Sequence, residues 1–133
     1  MEKTPSCSLH KDEGCLLYIN EACHGNTGHA AIGAVIKAHL NDKLSVVWRA
    51  GRSIGKKTKD EAGLEALLFG LERTQKSQYK HVTAMSDSEV LVKQYHEQHE
   101  VKSPELRSLL QRIKEVAKKL CGFSLRYDPH GMS

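Results

Sequence analysis

Apolar and polar side chains alternate from Cys15 to Ala22, with Leu16, Tyr18, Asn20 and Ala22 on one side and Leu17, Ile19 and Glu21 on the other. A period of two predicts a β-strand. Cys23-His24-Gly25-Asn26-Thr27-Gly28 follows, where Gly and Asn tolerate positive φ, and it predicts a turn. Alternation resumes over Ala30–Leu40, and Asn41-Asp42 predicts a turn into a third strand, Lys43–Ala50. The period then changes. Leu64, Leu67, Leu68 and Leu71 recur at i, i+3, i+4 and i+7, which predicts an amphipathic helix over about 59–75. Val82-Thr83-Ala84-Met85 reads as a short buried strand within His81–Ser86. Ser86 and Glu89 have the spacing of a capping box, so a second helix is predicted to start there, carrying Val90, Leu91 and Gln94. Pro104 suits the first turn of a third helix, which runs to about Leu120 with Leu106, Leu109, Leu110, Ile113 and Val116 inward. Cys121–Tyr127 alternates once more and predicts a last strand. The order is βββαβααβ: an α/β domain with a mixed five-stranded sheet and helices packed on it.

Length bounds this architecture. The 133 residues suffice for one domain and one core. Residues 1–13 are polar and read as a disordered tail, leaving 14–133 as the domain. Apolar residues make up 39% and charged residues 27%, an ordinary balance for a water-soluble chain. No apolar run approaches the roughly 18 residues of a membrane span, and the tail has no apolar secretory core. The default location is therefore the cytoplasm, with no membrane partner. The four cysteines form no CxxC pair, which argues against a zinc knuckle. The spacing of His96 and His99 would let them share a helix face, but no cysteine or carboxylate lies at ligand spacing beside them.

Net charge is +4, and one segment concentrates it. Gly51–Lys59 holds Arg52, Lys56, Lys57 and Lys59 without an acid. As a loop, it would be either a phosphate-contacting element or a solvated one.

Several segments in order resemble the type I ribonuclease H family, in its short reverse-transcriptase-like branch. Asn20-Glu21-Ala22-Cys23-His24-Gly25-Asn26-Thr27-Gly28 stands where the family has Asp-Gly-Ser-x-x-Gly-Asn-x-Gly. Thr58-Lys59-Asp60-Glu61-Ala62-Gly63 stands for Thr-Asn-Asn-x-x-Glu, and Asp87-Ser88 for the family's strand-end Asp-Ser. Val101-Lys102-Ser103-Pro104-Glu105-Leu106-Arg107 is similar to the short branch's version of that region. The resemblance implies a ribonuclease-H-like fold lacking the family's C-terminal helix. It also implies metal-dependent endonuclease chemistry on RNA–DNA hybrids, in which four carboxylates hold two Mg²⁺ ions.

Those carboxylates are mostly replaced. The resemblance puts the strand Asp at Asn20 and the helix Glu at Gly63, both degenerate, while Asp87 remains as a remnant and the one candidate ligand for Mg²⁺ or Mn²⁺. Alternation sets Glu21 on the opposite strand face from Asn20, so Glu21 is not expected to substitute. Glu61 and Glu65 lie roughly 200° around the helix from position 63. No cofactor is expected, and Mg²⁺ or Mn²⁺ enters only with residual activity. The binding features the resemblance implies are Gly25, Asn26, Gly28 and Thr58, joined by the basic Lys56 and Lys57. Three functions stay open: a cleavage-impaired domain that binds RNA–DNA hybrid or other nucleic acid, a protein-interaction domain with an unknown protein partner, and a slow metal-dependent ribonuclease.

Overall fold

The computed structural model describes residues 14–25 and 27–130, so the residues 1–13 read as a tail, and Asn26, lie outside the described residues. The chain order is β1 (Gly14–Cys23), β2 (Thr27–Leu40), β3 (Lys43–Thr58), α1 (Lys59–Lys76), β4 (His81–Ser86), α2 (Glu89–His96), a single 3-10 turn (Gln98–Glu100), α3 (Pro104–Lys118) and β5 (Gly122–Tyr127). Five strands make one mixed sheet in the order β3-β2-β1-β4-β5. The first three pair antiparallel, whereas β1, β4 and β5 run parallel. This is the α/β architecture and element order that the hydrophobic periods predict.

One turn and one bulge shape the meander. Asn41 and Asp42 both have positive φ (53° and 65°), the requirement of a tight hairpin whose twist matches its strands. Near the far end of β3, Gly55 has φ 78°, and the register slips by one residue between Ala30 and Ala31 of β2. That β-bulge changes one expectation. The basic stretch 51–59 is not a loop: through Thr58 it continues β3, with Ile32↔Arg52, His29↔Lys56 and Gly28↔Lys57 in register. A bulge lets a strand with two glycines keep its pairing while bending.

The core lies on one face of the sheet. Leu17, Ile19, Ile36, Leu64, Leu67 and Leu71 are essentially inaccessible, and Val82, Ala84, Leu110, Ile113 and Leu125 join them. Burying a Leu or Ile side chain contributes roughly 1.5–3 kcal/mol. The α1 stripe supplies the middle of this layer. At its outer margin Trp48 of β3 packs on Phe69, ring centroids 5.7 Å apart, and Arg73 covers the indole. Trp48 is thus a packing residue.

Helix starts follow side-chain chemistry. Thr58 caps α1: its hydroxyl accepts from Glu61 N–H at 3.1 Å while its own N–H donates to Glu61 Oε1 at 2.9 Å. Ser103 caps α3 ahead of Pro104. The expected box at Ser86 does not form. Ser88 caps α2, accepting from Leu91 N–H, and the buried Ser86 Oγ accepts from Ser88 N–H at 3.0 Å. Ser86 belongs to the strand, so the helix begins two residues later than its sequence spacing suggested.

Candidate functional site

The carboxyl ends of the parallel strands converge near the start of α1, the edge where open sheets present ligand-facing residues. Ile19 pairs with Ser86, so Asn20 follows beside Asp87 in register. The backbone N–H of Asp128, one residue past β5, donates to Ser86 O at 2.8 Å. Chain order thus brings positions 20, 63 and 87 to one edge.

The side chains sort differently from the sequence expectation. Cys15, Leu17 and Ile19 of β1 are buried beneath α1, and Glu21 continues that face. Asn20 points to the other face, exposed, its Oδ1 accepting from Glu21 N–H at 2.9 Å. A β-carbon built on Gly63 would stand 3.7 Å from Glu21 Oε1 and 2.8 Å from Leu91 Cδ1. The residue that meets the helix position is therefore Glu21 and not Asn20. Strand alternation puts Glu21, not Asn20, on the face of α1. Set against the family pattern, a strand glycine and a helix glutamate have exchanged places at 21 and 63. A sequence reading that tests each position alone misses this exchange. Its signal was the pair, an acid where the pattern has Gly and Gly where it has an acid.

The exchange leaves an unusual carboxyl. Glu21 Oε1 is buried and has no hydrogen-bond partner among the described residues. Burial pushes the group up from the ordinary 4.5 to about 7, Asp87 and Asp60 add to the rise, and Lys59 opposes it. Across a narrow cleft of about 100 Å³, Gln94 Nε2 donates to Asp60 Oδ2 at 3.2 Å, tying α2 to α1. Gln94 Oε1 is likewise buried without a partner among the described residues. Leu91 fills the space beside Gly63.

This donor set does not fit a pair of Mg²⁺ ions. Among the described residues no group of three or more His, Cys, Asp or Glu side chains is arranged to hold a metal. Asp87 is exposed at its strand end, Glu21 is a poor anion at neutral pH, and position 63 has no side chain. A hard cation needs several charged oxygens to offset its dehydration.

The binding candidates divide as well. Gly25 has φ 79°, and a β-carbon on Gly28 would collide with the His24 carbonyl oxygen, so both glycines are required by the turn itself. His24 N–H closes that turn on His29 O at 3.1 Å. Thr58 spends its hydroxyl on the α1 cap. Lys57 Nζ pairs with Glu65 at 3.1 Å, which neutralises much of its field, whereas Lys56 on the opposite face is exposed. Lys56 is the freer cation of the two.

Comparison with known proteins agrees with the fold. A sequence profile of the family described as reverse transcriptase-like matches residues 19–130. Ribonuclease HI of Halobacterium salinarum is 27% identical over 112 residues, 84% of this chain and 55% of that protein. The chain spans about half the length of that relative. The crystal structure of ribonuclease H1 from Halobacterium salinarum superposes with a TM-score of 0.79 at 26% identity, covering 87% of this chain and 86% of that one. LC11 ribonuclease H1, solved in complex with an RNA/DNA hybrid, gives 0.75 at 27% identity, covering 86% and 85%.

Proposed function

This chain belongs to the reverse-transcriptase-like, ribonuclease-H-like family, and we propose that it binds RNA–DNA hybrid weakly while lacking the ribonuclease cleavage its relatives' names describe. One observation carries the proposal. Where the family pattern has a helix carboxylate, this site has Gly63 with Leu91 packed against it, and the nearest carboxyl, Glu21, is held up at about 7. Cleavage by two metal ions needs charged oxygens that position both the attacking and the leaving oxygen. A half-protonated Glu21 and a solvent-exposed Asp87 supply too little of that field.

Binding has separate support. Lys56 pairs with His29 across the β2–β3 ladder, next to Gly28, so backbone and cation flank one end of the sheet. Contacts of this kind to phosphate give sequence-independent, salt-sensitive affinity. The test is the salt dependence of hybrid binding, measured for the wild type and for Lys56→Ala. A weak wild-type affinity that falls with salt, and a shallower slope in the variant, support the proposal. Salt-independent binding, or none at low ionic strength, removes it.

A further inference from the structure

The sheet has a second face. Side chains of Leu17, Ile36, Val82 and Leu125 point into the core, and every helix packs on that side: α1 through its leucines, α2 through Tyr95 on Phe123, α3 through Leu110 and Ile113. No described helix or strand covers the opposite face. One row of paired residues crosses it from edge to edge, Arg49–Val35–Tyr18–Met85–Arg126. Arg49 and Arg126 are exposed, and the three residues between them are half-buried. Lys37, from the next row, holds its Nζ 5.0 Å from the centroid of the Tyr18 ring.

Within the five strands, no position on this face is Asp or Glu, and the acids Asp87 and Asp128 follow one residue past β4 and β5 at its end. Neither Arg49 nor Arg126 forms an ion pair among the described residues. A flat strip with an aromatic ring at its centre and a free cation at each end matches a polymer that alternates flat apolar faces with negative charges. At about 4.8 Å per strand the row is about 19 Å long, the length of a few nucleotides. We infer that this open sheet face binds single-stranded nucleic acid, Tyr18 stacking a base and Arg49, Lys37 and Arg126 contacting phosphates. The row lies on the other side of the sheet from Glu21 and Gly63, and Lys56, paired with His29, stands on the same face at the far end of β3.

The experiment is fluorescence anisotropy of the full chain with a labelled oligothymidylate of about 12 nucleotides, with unlabelled poly-glutamate as a competitor. The wild type is expected to bind at low salt. Arg49→Ala with Arg126→Ala should weaken binding at least tenfold and flatten the salt slope by about 1.4, two phosphate contacts on a single strand. Removing two cations elsewhere, Arg112→Ala with Lys118→Ala on α3, should change affinity less than about threefold. Tyr18→Leu should lose at least fivefold and Tyr18→Phe should not. If Tyr18→Leu fails to fold, the wild-type Tyr18 ring resonances decide: an upfield shift on adding the oligonucleotide supports stacking, and no shift overturns it. The inference is equally overturned by absence of binding, by equal losses in the two double variants, or by poly-glutamate competing as strongly as the nucleic acid, which would make the partner an acidic polypeptide.

Discussion

Leu91 Cδ1 stands 2.8 Å from where a β-carbon on Gly63 would be, closer than real β-carbons approach a neighbour. The contact joins α2 to α1 at the position the family pattern reserves for a carboxylate, and it makes the two residues energetically coupled. Ala for Gly in a helix interior ordinarily gains about 1 kcal/mol. Here that gain is offset by displacement of a methyl packed in the core. Gly63→Ala should therefore leave stability within about 0.5 kcal/mol of the wild type, while in a Leu91→Ala background it should recover its full ~1 kcal/mol. Urea unfolding of the four proteins checks this, and additive effects would break the claim that Leu91 fills the site.

Glu21 makes stability depend on pH. Its folded-state carboxyl is raised to about 7 from an ordinary 4.5, so the folded protein holds the proton more tightly than the unfolded chain. The associated stability is present below about 4.5 and is lost as pH rises through about 7. Glu21→Gln removes the ionisation. The variant should match the wild type at pH 4 and exceed it at pH 8 by about 1 kcal/mol after allowance for solvent screening. Thermal melts across that range, together with a carbon-13 titration of the Glu21 side chain, measure both the sign and the midpoint.

Reversing the exchange should rebuild a ligand set. Asn20→Asp, Glu21→Gly and Gly63→Glu together restore the pattern's strand acid, strand glycine and helix acid around Asp87. Calorimetric Mg²⁺ affinity is expected to rise at least tenfold over the wild type. Gly63→Glu alone should not achieve this, because Glu21 and Leu91 already occupy the space it needs. An unchanged affinity in the triple variant would detach position 63 from the family site.

The two adjacent lysines should differ. Lys57 is paired with Glu65 at 3.1 Å and Lys56 is not. Lys56→Ala should reduce the salt slope of hybrid binding by about 0.9, one phosphate contact, and Lys57→Ala by less. Equal effects would mean that the Lys57–Glu65 pair opens in the complex.

Most of the fold was legible because hydrophobic period decides it. The alternation of Leu17 and Ile19 and the α1 stripe of Leu64, Leu67, Leu68 and Leu71 gave strand and helix directly. The far half of β3 was not, since its Gly51, Gly55 and lysines look like a loop; pairing with β2 and a bulge at Gly55 override composition. Ser86 differs for a related reason: burial in β4 takes a side chain that local spacing assigns to a cap. At the site, Asp87 and Gly63 were legible as positions, but the role of Glu21 was not. Which face of α1 a strand residue meets is set by long-range packing, and the compensating change at 21 becomes visible only when 21 and 63 are placed within contact distance.

The most direct test of lost cleavage with retained binding is a gel assay of an end-labelled RNA–DNA hybrid with purified protein, in Mg²⁺ and separately in Mn²⁺, scoring shift and strand length in the same lanes. The expected result is a weak shift that disappears with added salt and RNA that stays full length in both metals. RNA cut in a divalent-dependent manner, with the cutting abolished by Asp87→Asn or Glu21→Gln, would contradict it and make this domain a working ribonuclease with a rearranged carboxylate set.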